Sequence, residues 1–182
     1  ILFFLIFSIT SVCSANDGLN KIQKYFNNIE SLSANFIQAD ESIVQEGVFY
    51  LNKNRIKIVY LKPNKITIIL DKDKAMYFNQ DLEEVEYFNP KGSVAETFYD
   101  IFFNKEIFTN STISEIDGGI ILKKKLNTEN KVLLIISFEK NPINLRKIQM
   151  ITEDTKINLG IFNYNFEPLY KKNFFSMANP LI

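Results

Sequence analysis

The chain of 182 residues contains no histidine and no tryptophan, and its single cysteine is Cys13. Histidine and cysteine are the side chains that most often bind transition metals or form nucleophile–base pairs. Paired carboxylates are present, but all lie in turn-like sequence, where a solvated surface is the expected role: Asp71/Asp73, Glu83/Glu84 and Glu153/Asp154. The sequence therefore predicts no enzyme, no metal site and no cofactor.

An excess of charge of either sign is also lacking. The 21 lysines and arginines balance the 21 aspartates and glutamates, so the formal net charge is zero. Recognition of nucleic acid or anionic lipid requires a basic field, and neither partner is predicted. What the chain has instead is aromatic area, with 17 phenylalanines and 8 tyrosines. This length and composition predict one domain with a sizeable apolar core.

The N-terminus carries a short apolar block, residues 1–12, that is too short to span a bilayer. Small residues follow it, and we predict a signal peptide over residues 1–15, N-terminally incomplete and cleaved after Ala15. Residues 16–182 then form a single exported domain. Acylation of Cys13 is one alternative, although Val12 stands where a small residue is expected. Retention of the block as an anchor is the other.

Short apolar segments follow one another from Ala34 to Val85, each ended by turn residues after about one strand length. Apolar and other residues alternate along 56–60 and 66–70, which predicts an antiparallel meander. Many of these segments are apolar on both faces. Val59 and Leu61 lie on the face opposite to Ile56, Ile58 and Tyr60, and Ile69 lies opposite to Ile66 and Ile68. We therefore expect a cover on the second face, and a bound apolar ligand is one candidate.

Two helices interrupt the predicted strands. The first is expected to begin at Asp17 and end near Glu30, with a single apolar stripe. The second is expected to begin at Ser93, because Ser93-x-x-Glu96 is a capping box. Further strands are predicted after it, the last over 169–175. The predicted fold is mostly β, a curled antiparallel sheet of about eleven strands with both helices on its concave side.

Several short motifs follow one another along the chain: Ile29-x-Ser31-Leu32-x-Ala34-x-Phe36-x-Gln38, Gly47-x-Phe49-x-Leu51, Tyr60-x-x-Pro63, Tyr77-Phe78-Asn79 and a closing Phe175…Pro180. In this order the chain resembles the periplasmic lipoprotein carrier family, LolA, over most of residues 19–180. The resemblance implies an incomplete β-barrel with a helical lid over an apolar cavity. It also implies a monomeric periplasmic chaperone that binds the acyl chains of triacylated lipoproteins. Its partners would be the inner-membrane lipoprotein-releasing ABC transporter and an outer-membrane acceptor, or the outer membrane itself.

The residues expected to form the acyl-chain cavity are apolar positions of both helices and of the sheet interior: Leu19, Ile22, Phe26, Phe36, Phe49, Ile58, Tyr60, Met76, Val94, Phe98, Ile101 and Phe102. In the family, an arginine after the Gly-x-Phe-x-Leu strand holds the lid closed through backbone carbonyls of the lid. Lys53 best matches that position here, and Arg55 is the alternative. Lysine lacks the five-donor fork of arginine, which implies a weaker latch. The competing interpretation is a pair of exposed turn cations.

Other functions fit the same predicted fold. One is another periplasmic lipid- or lipopolysaccharide-binding protein. A second is an outer-membrane lipoprotein acceptor of the same fold, anchored through an acylated Cys13. A third is a regulatory sensor domain of related fold. The nature of the bound ligand and the mature N-terminus distinguish these alternatives from a carrier.

Overall fold

A computed structural model of the protein describes residues 14–39, 43–127 and 131–182. The helical elements are α1 (Ser14–Asn27), α2 (Val94–Phe103) and a 3₁₀ helix (Lys105–Phe108). The strands are β1 (Ser31–Ala39), β2 (Val44–Asn52), β3 (Arg55–Lys62), β4 (Ile66–Leu70), β5 (Ala75–Asn79), β6 (Glu84–Phe88), β7 (Thr112–Ile116), β8 (Gly119–Lys125), β9 (Leu133–Glu139), β10 (Asn144–Ile151) and β11 (Lys156–Asn165). The predicted signal peptide lies outside these ranges except for its last two residues.

All eleven strands belong to one antiparallel sheet with the order β6-β5-β4-β3-β2-β1-β11-β10-β9-β8-β7. Two meanders, β1–β6 and β7–β11, meet where β1 pairs with β11 near the middle of the sheet. The edge strands β6 and β7 do not pair with each other, so the barrel is not closed. The predicted fold class, a mostly β, curled antiparallel sheet with two helices, is confirmed.

The two helices pack against one face of the sheet. Phe26 of α1 stacks on Phe108, with ring centroids 5.0 Å apart, and meets Phe138 of β9 edge to face. Phe98 of α2 meets Phe49 of β2 in the same edge-to-face manner. We call this covered face the inner face. It holds the main core, because strand alternation places every second side chain of β1–β4 and β8–β11 on it.

The boundaries of α1 differ from the prediction. The helix begins at Ser14 rather than Asp17 and ends at Asn27 rather than near Glu30. Asp17 lies inside the helix and forms an ion pair with Lys21 one turn later, at 2.5 Å. The capping interpretation of Asp17 was therefore wrong, since an acidic residue in the first turn has a second stabilising role through such pairs.

The start of α2 follows the predicted capping chemistry. Ser93 is the N-cap, and its Oγ accepts a hydrogen bond from the backbone N–H of Ala95 at 3.2 Å. Glu96 accepts from the backbone N–H of Gly92 at 2.8 Å, one residue earlier than in the standard box. Pro90 and the capping serine thus set the point at which the chain turns from β6 into the helix.

The strand predicted over 169–175 is absent, because the segment makes turn-type hydrogen bonds such as Phe174 N–H to the Lys171 carbonyl at 3.0 Å. Its aromatic residues resemble a strand pattern but pack across the sheet. Tyr170 and Phe174 both contact Tyr50, whose neighbours Phe49 and Leu51 point to the inner face. This segment, residues 170–177, is named the C-terminal strap. It covers part of the outer face, where a bound ligand had been one candidate cover.

Candidate ligand cavity

An apolar cavity of about 160 Å³ lies between α2 and the inner face of the sheet. Its walls come from β1–β4, β10, β11, the end of β6 and the first turns of α2. The lining residues are almost all apolar: Phe36, Gln38, Phe49, Ile58, Tyr60, Ile68, Leu70, Phe88, Val94, Ala95, Phe98, Met150, Ile157, Leu159 and Ile161. The spacing of two residues within each strand is what brings them to one surface.

The register of neighbouring strands builds this surface row by row. Phe49 lies beside Ile58, and Ile58 beside Ile68. A glycine makes room at one point of the wall, because a Cβ added to Gly47 would lie 2.5 Å from Cζ of Phe36. The Phe36 ring crosses above Gly47 and meets the Tyr60 ring edge to face at 5.1 Å. The Gly-x-Phe-x-Leu motif therefore has a packing role in the cavity wall.

The polar atoms of the cavity satisfy each other. The Tyr60 hydroxyl donates to the Gln38 side-chain oxygen at 2.9 Å. Burial raises the pKa of Tyr60 to about 12, so the phenol is neutral at physiological pH. A half-buried, hydrogen-bonded pair of this kind offers a ligand neither charge nor a nucleophile. The cavity is suited to binding an apolar chain.

Six of the residues predicted for the cavity line it: Phe36, Phe49, Ile58, Tyr60, Val94 and Phe98. Five others lie in the adjoining core on the side of α1: Leu19, Ile22, Phe26, Ile101 and Phe102. Met76 is 3% exposed but lies on the outer face, where it pairs with Ile69. The structure thus brings half of the predicted set together around the cavity and leaves Met76 on the opposite side of the sheet.

Nine lining residues were not among the predicted set: Gln38, Ile68, Leu70, Phe88, Ala95, Met150, Ile157, Leu159 and Ile161. The alternation in β4 had a usable signal, since Ile68 and Leu70 share a face with Ile66. No local sequence signal identified the lining residues of β10 and β11. They reach the cavity because β1 pairs with β11, and this pairing joins segments more than 100 residues apart.

A side chain of α2, that of Tyr99, forms a hydrogen bond to the sheet. The Tyr99 hydroxyl donates to the backbone carbonyl of Asn54 at 3.1 Å, in the two-residue turn between β2 and β3. Lys53 is exposed with a positive φ of 52°, and within the described ranges its ammonium makes no hydrogen bond or ion pair. Arg55 points to the outer face, where its guanidinium bonds Asp71 at 2.9 Å and the Phe175 carbonyl at 3.0 Å.

A polar groove of about 310 Å³ adjoins the cavity at the start of α2. Val94 borders both spaces, and Ser93, Lys131 and the β10–β11 turn at 152–155 complete the groove. Polar side chains therefore lie beside the cavity at the start of α2. This arrangement matches the shape of an amphiphile, whose apolar part is buried and whose polar part stays hydrated.

Neither a metal-binding cluster nor a membrane-spanning helix is found in the parts of the chain that the structure describes. No cluster of three or more acidic, histidine or cysteine side chains there is placed to hold a metal ion. Within the same ranges, no helix is long and apolar enough to cross a membrane.

Comparison with known proteins places this architecture. The family described as "Outer membrane lipoprotein carrier protein LolA" matches residues 27–177. The chain belongs to the LolA family. A search of curated protein sequences finds no match. Solved structures share the fold of this LolA-family chain at low sequence identity, as the following three show.

An uncharacterized conserved protein from Thermus thermophilus is 10% identical, with a TM-score of 0.54 over 85% of this chain and 88% of that one. A LolA superfamily protein from Nitrosomonas europaea is 11% identical, with a TM-score of 0.50 over 88% and 96%. The Pseudomonas aeruginosa MucA/MucB complex gives 8% identity and a TM-score of 0.51 over 91% of this chain and 62% of that one. These likenesses concern the fold alone.

Proposed function

We propose that this protein is a periplasmic carrier that binds the acyl chains of lipoproteins and takes them from the inner membrane to the outer membrane. The observation that carries the proposal is the apolar cavity beneath α2, with a polar groove beside it. Family membership over residues 27–177 supports it. The releasing transporter of the inner membrane and an acceptor, or the outer membrane itself, are the proposed partners, and no reaction is catalysed.

The size of the cavity indicates what the carrier must do to load. At about 160 Å³ it matches an engineered apolar cavity of about 150 Å³ that accepts benzene. Ordinary ligand pockets have about 300–1,000 Å³. Three acyl chains therefore require α2 to move away from the sheet, and we interpret the position of α2 as closed. The Tyr99–Asn54 hydrogen bond is one of the contacts that such a movement breaks.

The energetics favour a carrier whose closed form competes with its ligand. Three chains of about fifteen methylenes each, at about 0.8 kcal/mol per buried CH₂, would gain about 36 kcal/mol if fully buried. Non-covalent binding does not exceed about 20 kcal/mol in practice. Release is therefore the harder step. A packed closed state, in which Phe98 and Phe49 fill the space, lowers the net affinity because it must be given up on loading.

The test is lipoprotein uptake by a cavity variant and by a matched surface variant. Ile58→Glu places a carboxylate among apolar side chains, which costs several kcal/mol when it is unpaired. Ile37→Glu makes the same change on the outer face, where Ile37 is 40% exposed. We expect Ile58→Glu to lose uptake and Ile37→Glu to keep it. Normal uptake by a folded Ile58→Glu protein would refute the proposal.

The second candidate is a binder of a smaller apolar ligand, such as a single-chain lipid. The cavity volume favours it, because a smaller ligand needs less opening. Mass spectrometry of the bound material separates the two. A single-chain lipid released from the purified protein, with no acylated polypeptide, supports this candidate.

A further inference from the structure

The C-terminal strap is attached to the outer face through its aromatic side chains, including the Tyr170 hydroxyl that donates to the Leu32 carbonyl at 2.7 Å, and through its backbone carbonyls. Arg55 donates to the Phe175 carbonyl at 3.0 Å, and Lys57 donates to the Phe174 carbonyl at 3.2 Å. The Lys57 ammonium also lies 4.2 Å from the centroid of the Phe174 ring. Tyr87 of β6 donates to the Met177 carbonyl at 2.9 Å. Charged donors and a stacked aromatic ring thus secure a segment that makes no strand pairing.

The strap and α2 are attached to neighbouring residues, Asn54 in the tight turn between β2 and β3 and Arg55 at the start of β3. Asn54 accepts the hydrogen bond from Tyr99 of α2 on the inner side, and Arg55, the next residue, bonds the strap on the outer side. Arg55 also bonds Asp71, which follows β4. The position of the Asn54 carbonyl therefore depends on contacts that the strap helps to hold.

A second connection runs through the end of β6. Tyr87 bonds the strap, and its neighbour Phe88 lines the cavity. Successive side chains of a strand point to opposite faces, so one strand end contacts both the strap and the cavity. The chain enters α2 only a few residues later, at Val94. The strap is thereby linked both to the turn that accepts the hydrogen bond from Tyr99 and to the strand end that precedes α2.

We propose that the C-terminal strap, residues 170–177, controls the opening of the cavity on the opposite face. A docked strap fixes the β2–β3 turn and the end of β6 and so keeps α2 in its closed position. When the strap undocks, Arg55 keeps its bond to Asp71 but loses its bond to the strap, which loosens the turn and raises the population in which α2 has left the sheet. The inference rests on the proposed function only in taking this cavity as the ligand site. A partner that binds the outer face in place of the strap would thereby promote loading or release.

Thiol labelling measures this opening without any ligand. The only cysteine, Cys13, is replaced by serine, and Ile161→Cys puts a thiol in the cavity wall, where Ile161 is 3% exposed. Phe174→Ala then weakens the strap without touching the turn or α2. Leu169→Ala is the matched control, because Leu169 lies just before the strap and is fully exposed. Trypsin cleavage after Lys171 and Lys172, both exposed, reports whether the strap is docked.

We expect Phe174→Ala to speed both trypsin cleavage in the strap and labelling at position 161. Labelling should rise by about tenfold or more, because undocking of the strap also breaks the hydrogen bonds that the charged donors Arg55 and Lys57 make to its carbonyls. Leu169→Ala should label at the parent rate. Tyr99→Phe should also speed labelling. If the strap acts through the Asn54 carbonyl, the double variant should label no faster than the faster single variant.

The outcomes separate coupling from simple loss of structure. Faster strap cleavage with an unchanged labelling rate would overturn the proposal. Fully additive effects in the double variant would assign the coupling to the end of β6 rather than to the Asn54 carbonyl. If trypsin cleavage shows that the strap stays docked in Phe174→Ala, a chain that ends at Pro168 replaces this variant. That chain lacks the strap, and its labelling rate at position 161 is compared with that of the parent. Circular dichroism confirms that each variant is folded. Because no ligand is used, failure here leaves the uptake test of the proposed function unaffected.

Discussion

Phe98 is the side chain whose removal best tests the packing of the closed cavity. It is 5% exposed and meets Phe49 and Phe102 edge to face, with centroids 6.2 and 5.4 Å away. Truncation of a buried phenylalanine to alanine costs about 3–5 kcal/mol. One side of this ring already faces the cavity, so fewer contacts are lost. We expect Phe98→Ala to lower the free energy of unfolding by about 3 kcal/mol, at the lower end of that range.

The assay is urea or thermal unfolding with and without an acyl ligand. A loss of about 3 kcal/mol corresponds to a fall of about 6–12 °C in Tm for a chain of this size. A ligand that binds the folded state should recover stability according to its concentration and affinity. Phe98→Ala should recover at least as much as the wild type, since the vacated space adjoins the cavity.

Phe166→Ala is the control for this prediction. Phe166 is 43% exposed and contacts Tyr25 and Tyr164, away from the cavity. It should lose less stability than Phe98→Ala and should leave the ligand response unchanged. A loss below about 1 kcal/mol in Phe98→Ala would show that the ring is not packed as described. A ligand response that disappears in a folded Phe98→Ala protein would refute the cavity assignment.

Three further changes have defined outcomes. Tyr99→Phe removes the hydrogen bond to the Asn54 carbonyl, and amide exchange in α2 should rise about 2–10-fold; an unchanged rate would exclude this bond as a closing contact. Gly47→Ala places a methyl group against the Val59 carbonyl and should cost about 1–3 kcal/mol in urea unfolding; wild-type stability would contradict the close packing. Burial raises the pKa of Tyr60 from 10.0 to about 12, so its contribution to stability is present below pH 10 and is lost as the pH rises through 12. Tyr60→Phe should therefore flatten the fall of the unfolding free energy between pH 10 and 12, and an unchanged slope would count against the buried phenol.

Much of the strand arrangement is predictable from local sequence. The turn at Lys53 and Asn54 joins two strands that pair directly, as the polar residues between apolar runs indicated. The capping serine at position 93 located α2 to the residue. Such signals are short-range, because turn and cap chemistry depends on a few neighbouring residues.

The assignment of faces is harder to predict where both faces of a strand are apolar. Met76 was expected inside the cavity, but Ala75 occupies the inner face beside Leu70, while Met76 lies outside with Ile69. A shift of one residue exchanges the two faces of a strand, and a strand without polar residues carries no mark that fixes the choice. The strap that covers this outer region was itself predicted as a strand.

The cavity residues of β10 and β11 illustrate a second limit. Leu159 lies beside Gln38 only because β11 pairs with β1, the one junction of the sheet that local turns do not make. The sequence also did not predict which side chain joins α2 to the turn between β2 and β3. A cation of the turn was expected to hold α2, whereas Tyr99 of the helix donates to the turn and Arg55 holds the strap.

We propose that the cavity beneath α2 carries the acyl chains of lipoproteins. Native mass spectrometry of the protein purified from its own cells tests it most directly, with Ile58→Glu and Ile37→Glu prepared in the same way. We expect a complex heavier by a triacylated lipoprotein for the wild type and for Ile37→Glu, and ligand-free protein for Ile58→Glu. A wild-type protein that carries no acylated ligand, or an Ile58→Glu protein that carries the same one, would contradict it.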